Sequence, residues 1–91
     1  MDLPARHRFI DIPHSGGPQA LRLVEGPVPL PGPGEVLVRV HAAGVNAADI
    51  KQREGVYDMP AGAGTSPGLE IAGTIARVGP GATRVAPGDR V

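Results

Sequence analysis

The 91-residue sequence contains no cysteine and no tryptophan, and its aromatic residues are one tyrosine and one phenylalanine. Without cysteine, neither a disulfide framework nor a thiolate metal site can form. No segment approaches the roughly 18 apolar residues of a transmembrane helix, and the first residues lack the apolar core of a secretory signal. Nine basic residues balance nine acidic ones, which gives no footprint for nucleic acid. We therefore expect a cytoplasmic protein that binds neither nucleic acid nor a membrane.

Glycine and proline, by contrast, are abundant, with 14 and 11 residues respectively. They divide the first third of the chain into short pieces. Residues 8–12 and 20–24 alternate as two short partner strands on either side of the turn-forming segment 13–18. The four prolines within residues 27–34 lack backbone donors, so this segment is predicted to be an extended connector and not a central strand. The composition thus predicts a turn-rich, mainly β module.

The clearest strand begins at Val36. Val36, Val38 and Val40 fall on one side of an alternating pattern, so we expect that face to be buried. The pattern then changes at Asn46, a favoured helix cap. Asp49 suits the first turn of a helix and Gly55 suits its end, so the sequence predicts a helix of about two turns. Ile50 is its expected apolar anchor.

The last third of the chain is predicted to be a loop, a strand and a turn. Residues 60–67 form the flexible loop. Residues 69–78 alternate as a strand with Gly73 at its centre, where a bulge or close backbone packing is expected. Residues 78–82 form a tight connection, and residues 86–91 form a turn that leads into another strand. Since the chain stops there, we expect a domain that is incomplete at its C-terminus.

Several spaced motifs carry a family resemblance. They are Pro31-Gly-Pro-Gly-Glu-Val-Leu-Val-Arg-Val-His-Ala-Ala-Gly-Val-Asn46, Gly55-Val-Tyr57, Pro67-Gly-Leu-Glu-Ile-Ala-Gly73 and Gly88-Asp-Arg-Val91. In this order they resemble the N-terminal half of zinc-independent quinone oxidoreductases of the medium-chain dehydrogenase/reductase superfamily. The resemblance implies a mainly β, GroES-like, partly open β-barrel with one short helix. Residues 1–91 would be a fragment, the N-terminal substrate and catalytic domain without the Rossmann domain.

The resemblance also implies a cofactor and the absence of a metal. NADPH would be bound mainly by the missing Rossmann domain, and no Gly-x-Gly-x-x-Gly motif occurs here. We therefore expect the isolated fragment to be inactive. Asn46 and Leu69 stand where zinc-dependent members of the superfamily have a Cys and a His ligand, so no zinc is expected. The spacing of His7, His14 and His41 matches no compact metal site.

Two residues are candidates for the chemistry. Hydride transfer to a carbonyl leaves negative charge on oxygen, which without a metal must be met by hydrogen-bond donors. By resemblance, the Asn46 amide and the Tyr57 phenol would face the substrate and the nicotinamide, and Asn46 would also contact the cofactor. Each has a plainer alternative, since Asn46 is also a helix cap and Tyr57 an ordinary half-buried loop aromatic. Asp49 is expected to be a first-turn helix residue, and Glu70 a partner in a structural ion pair or hydrogen bond.

The leading hypothesis is therefore the catalytic-domain portion of a zinc-free, NADPH-dependent quinone reductase that acts on a quinone or an enone. Two alternatives remain open: an enoyl-thioester reductase of the same superfamily, and a non-enzymatic, stand-alone GroES-like binding module. A homodimer is expected for the full-length protein. The acceptor, the choice of NADPH over NADH and the oligomeric state are expected to depend mostly on residues beyond Val91.

Overall fold

The computed structural model describes residues 3–91, which divide into two compact units interleaved along the chain. One unit contains Pro27–Ala43 and Ile71–Val91 with residues 3–5, and the other contains Arg6–Gly26 and Gly44–Glu70. The regular elements are the strands β1 (Arg6–Asp11), β2 (Arg22–Pro27), β3 (Val36–Ala43) and β4 (Ile71–Val78), the helix α1 (Ala47–Glu54) and a 3₁₀ turn (Pro18–Ala20). The described strands form two two-stranded sheets and no closed barrel. The predicted mainly β class with one short helix is confirmed.

β3 and β4 pair antiparallel in the first unit, from Val36 opposite Val78 to Ala43 opposite Ile71. The register shifts twice, once between Leu37 and Val38 and once between Val40 and Ala42. The second irregularity faces Gly73, the glycine predicted to mark a bulge or close packing. A Cβ atom at Gly73 would overlap the main-chain oxygen of Arg39, so this position confirms the close backbone approach.

The expected burial of one face of β3 is wrong. Val40 is 53% exposed and Val36 is also exposed. The register shifts do not account for the difference, because one places its extra residue on β4 and the other follows Val40. The buried side chains of this unit lie on the partner strand instead, where Ile75 is 1% exposed and Ala76 is also buried.

The end of the chain also pairs with β4. The predicted turn is present: the Ala86 N–H donates to Asp89 Oδ2 at 2.9 Å, and the Asp89 N–H donates to the Ala86 oxygen at 3.0 Å. Beyond it, Val91 and Gly73 exchange two main-chain hydrogen bonds of 2.9 and 3.0 Å. The predicted strand is represented by an antiparallel bridge between Arg90 and Thr74.

In the second unit, β1 pairs with β2 as predicted. β2 begins later than expected because Pro18 opens a 3₁₀ turn that includes Ala20. Proline suits that first helical position because its fixed φ matches and no donor is lost there. Ala20 is almost fully buried and Ile12 is buried with it, which leaves this unit with a very small apolar core.

The helix α1 forms as predicted, but polar contacts and not apolar burial hold it in place. Gly55 ends it in the left-handed region with φ of 82°. None of its eight described residues is buried, and Ile50 is 45% exposed, so the expected apolar anchor is wrong. Polar contacts replace it: the Arg53 side chain donates to the Gly16 oxygen at 3.2 Å, and the Gly16 N–H donates to the Arg53 oxygen at 2.9 Å.

Candidate catalytic site at the start of the helix

Asn46 is the residue that precedes the first turn of α1. Its backbone is extended, with φ of −126° and ψ of 163°, as a helix cap requires. The Asn46 N–H donates to Asp49 Oδ2 at 2.9 Å, and the Asp49 N–H donates to the Asn46 main-chain oxygen at 3.0 Å. Asp49 therefore has the first-turn role expected of it, and the pair fixes where the chain enters the helix.

The amide nitrogen of the Asn46 side chain takes no part in capping the helix and contacts Glu70. Nδ2 donates to Glu70 Oε1 over 3.3 Å, across 24 positions of sequence. Capping a helix uses a side-chain oxygen, so the amide nitrogen is free for another partner. An amide nitrogen carries two N–H groups. One donates to Glu70, and the other has no partner in the described part of the chain. Asn46 is exposed and lies at the positive end of a helix.

Glu70 is itself positioned by a glycine. The Gly44 N–H donates to the main-chain oxygen of Glu70 at 3.0 Å. A Cβ atom at Gly44 would overlap the Glu70 carboxylate, so the side chain lies directly over the glycine. The expectation that Glu70 makes a structural hydrogen bond is confirmed, with Asn46 as its partner. The sequence analysis did not identify Gly44 as a site residue, because Glu70, which it contacts, is distant from it along the chain.

Asp49 has one oxygen that the helix cap does not use. Its Oδ1 is buried and has no hydrogen-bond partner within residues 3–91. A buried carboxylate oxygen without a partner is uncommon, because burying charge without a hydrogen bond costs free energy. This oxygen lies on the side chain that binds the Asn46 N–H, so the candidate site contains an unused acceptor.

Tyr57 lies beyond the opposite end of α1, two residues after Gly55. Its side chain is 41% exposed, and its phenol has no hydrogen-bond partner in the described part of the chain. Asn46 precedes the first residue of α1 and Tyr57 follows its last turn. Because an eight-residue helix is about 12 Å long, the length of α1 lies between the two residues along the chain. No hydrogen bond joins the two residues within positions 3–91. The structure therefore surrounds Asn46 with partners and leaves Tyr57 without one.

The loop that precedes β4 is tied to the same unit by polar contacts. The Ile12 N–H donates to the Thr65 oxygen at 3.3 Å, and Thr65 Oγ1 donates to Asp11. The Gln52 side chain donates to the Ser66 oxygen at 3.3 Å. Residues 60–67 thus form the predicted loop, anchored near its C-terminal end.

The three histidines have separate neighbours. His7 stacks on Phe9 with ring centroids 5.0 Å apart, the His14 ring lies 3.3 Å from the Ser15 oxygen, and the His41 ring lies 3.4 Å from Thr74 Oγ1. Among the described residues, no three side chains of His, Cys, Asp or Glu come together in a way that would hold a metal ion. The expectation of a zinc-free site stays a prediction.

Among residues 3–91, no helix combines the length and the apolar composition that a membrane span requires.

Comparison with known proteins shows where the chain belongs. Residues 32–91 match the model of the alcohol dehydrogenase GroES-like domain. The chain is 42% identical over 78 residues to the synaptic vesicle membrane protein VAT-1 homolog of Rattus norvegicus, which covers 84% of this chain and 19% of that protein. It is 39% identical over 85 residues to the quinone oxidoreductase of Rattus norvegicus, which covers 92% of this chain and 26% of that protein.

Solved structures agree. A mycobacterial protein complexed with NADPH has a TM-score of 0.81 and 41% identity, with 91% of this chain and 24% of that chain covered. A cobalt- and zinc-bound alcohol dehydrogenase from Pyrobaculum aerophilum has a TM-score of 0.80 and 41% identity, with 94% and 25% covered. The chain thus spans about a fifth to a quarter of these proteins. It belongs to the alcohol dehydrogenase GroES-like domain family, in the quinone oxidoreductase-like part of the medium-chain dehydrogenase/reductase superfamily.

Proposed function

We propose that residues 1–91 are the N-terminal catalytic-domain portion of a zinc-free, NADPH-dependent quinone reductase. The observation that carries the proposal is the Asn46 amide, a neutral donor with one N–H that binds Glu70 and a second N–H that has no partner among residues 3–91. Bound NADPH would supply a hydride to a quinone or enone carbon. The carbonyl oxygen then gains negative charge, and a preorganised N–H stabilises that charge best in a site that excludes water.

The donor set supports a reaction without zinc. Zinc in proteins is held by Cys, His, Asp or Glu. Asn46 presents an N–H toward Glu70, and Leu69 has an apolar side chain that cannot bind a metal. Asn46 takes on the role of oxyanion donor and of a contact to the nicotinamide. Tyr57 is proposed as a second donor, whose phenol O–H would donate to the reduced oxygen.

The remaining properties of the whole protein are proposals as well. We propose a homodimer in the cytoplasm that acts on small molecules and has neither nucleic acid nor a membrane as a partner. Equal numbers of basic and acidic residues support the last point for this part of the protein. The NADPH-bound structural relative supports NADPH as the cofactor.

The test is a turnover assay on the protein at its natural length. NADPH consumption is followed with a quinone, a small enone and an enoyl thioester in competition, and the metal content of the active protein is measured. The proposal expects the quinone or the enone to be reduced fastest by metal-free protein. Preference for the enoyl thioester would assign the substrate to the alternative reductase class. No NADPH consumption with any acceptor would reject an enzymatic role and favour a binding module.

A further inference from the structure

Glu70 contacts the Asn46 side chain, and Gly44 contacts Glu70. Resting on the proposed role of that amide, we propose that Glu70 is a positioning residue, which selects one of the two orientations of the Asn46 side-chain amide and so aims its second N–H at the substrate oxygen. The juxtaposition behind the proposal is the contact of 3.3 Å between Asn46 Nδ2 and Glu70 Oε1.

The chemistry of the pair selects the orientation. Rotating an Asn amide by 180° exchanges Oδ1 and Nδ2, which have the same shape and opposite hydrogen-bonding character. An ionised carboxylate only accepts hydrogen bonds. If Oδ1 faced Glu70, two acceptors would oppose each other, so the carboxylate requires Nδ2 on its side. The second N–H then takes a fixed direction, set by the planar amide.

Gly44 keeps the carboxylate in place. Its N–H holds the main-chain oxygen of Glu70 at 3.0 Å, and its missing side chain leaves the space that the carboxylate occupies. The φ angle of Gly44 does not lie in the left-handed region, so an alanine is compatible with the backbone there. Glycine is therefore used at this position for space and not for conformation. Gly44→Ala would push the carboxylate away from Asn46 without changing the chemistry of either partner.

The other contacts of Asn46 involve its backbone and its side-chain oxygen, and its side chain faces the Asp49 N–H in a capping box that favours the same amide orientation. The Asp49 carboxylate binds the main-chain N–H of Asn46 through Oδ2 at 2.9 Å, so it fixes the backbone and not the amide plane. The only hydrogen bond that Asn46 Nδ2 donates within residues 3–91 goes to Glu70. Removing the Glu70 charge therefore removes the part of the selection that acts through Nδ2.

Glu70→Gln in the natural-length protein is the first test. Glutamine keeps the size but offers both a donor and an acceptor, so it pairs with either orientation of the Asn46 amide. We expect kcat to fall about twofold with little change in KM, because an amide that populates both orientations aims its second N–H at the substrate in only about half of the molecules. Gly44→Ala should act in the same direction. Glu54→Gln is the matched control, because Glu54 pairs with Lys51 on α1, and it should leave kcat unchanged.

A double variant separates positioning from a general structural effect. If Glu70 acts through Asn46, Glu70→Gln should leave kcat unchanged once Asn46 is alanine, because non-additivity marks residues that act as a unit. Equal losses in both backgrounds, or an unchanged kcat in the Glu70→Gln single variant, would overturn the proposal.

An NMR measurement of the Asn46 side-chain NH₂ group tests the orientation without turnover. In the natural-length protein, one of its two protons should shift strongly because it bonds to a charged acceptor, and that shift should vanish in Glu70→Gln. If no acceptor supports NADPH oxidation but this shift is found, the proposed function fails and the amide orientation stands. If the shift is absent from the wild-type protein, the positioning role is rejected whatever the turnover.

Discussion

The β3–β4 sheet and the segment from Gly44 to Glu70 hold their shapes in different ways. The sheet has paired main chains on both sides of β4 and a buried isoleucine, Ile75, on that strand. The segment from Gly44 to Glu70 has a helix with no buried residue, and single polar contacts hold it. Apolar burial therefore stabilises the sheet, whereas hydrogen bonds place the candidate site. A site built this way is sensitive to single polar substitutions that the sheet would tolerate.

Ile75→Ala is the change expected to have the largest effect on this comparison. Removing a fully buried isoleucine leaves a cavity and should lower the free energy of unfolding by about 3 kcal/mol. Ile71→Ala on the same strand is the matched control, because Ile71 is 47% exposed and its truncation should cost less than about 1 kcal/mol. Urea unfolding of the wild type and both variants measures the difference, and similar losses at the two positions would show that burial on β4 does not stabilise the sheet.

Gly55→Ala is a smaller change on the other side of the comparison. Gly55 has a φ of 82°, where an L side chain is strained, and a Cβ atom there would also crowd the Ser15 side chain. We expect a loss of about 1 kcal/mol. Gly64→Ala is the control, since its Cβ would meet open space at an ordinary φ, and it should be neutral. If thermal unfolding shows equal effects for both alanines, the helix does not depend on its left-handed end.

Glu25→Gln is expected to have the smallest effect. It breaks the 3.0 Å ion pair between Arg6 and Glu25, two side chains that are each 57% exposed. Exposed pairs contribute roughly 0.2 to 1 kcal/mol and are screened by salt. The stability difference from wild type should therefore disappear in high salt. A difference that persists in high salt would mean that this contact contributes more than a surface charge pair does.

The two regions also differ in how much of them could be predicted from the sequence. The helix was predicted with its start and its end because Asn46, Asp49 and Gly55 exert their effects on neighbouring residues of the same segment. The strand at Gly73 and the turn before Val91 follow from local patterns in the same way. Their signals need no knowledge of distant partners.

The parts that were predicted wrongly or missed depend on residues far apart in sequence. The burial of a β3 face depends on which distant residues pack against it, and alternation along the strand alone does not reveal them. The contact from Glu70 to Asn46 spans 24 positions, and the space above Gly44 is visible only once those segments meet. The sequence offers one signal for this contact, namely Gly44 two residues before the predicted helix cap Asn46, and that signal does not identify Glu70 as the partner.

The most direct test of the central claim is kcat of Asn46→Ala in the natural-length protein with its preferred quinone or enone. Loss of a donor to a developing oxyanion should lower kcat by about 100-fold to 1,000-fold. The Tyr57→Phe variant measured beside it reports whether the phenol contributes separately. An Asn46→Ala variant that turns over at the wild-type rate would contradict the assignment of Asn46 as the neutral group that stabilises the reduced oxygen.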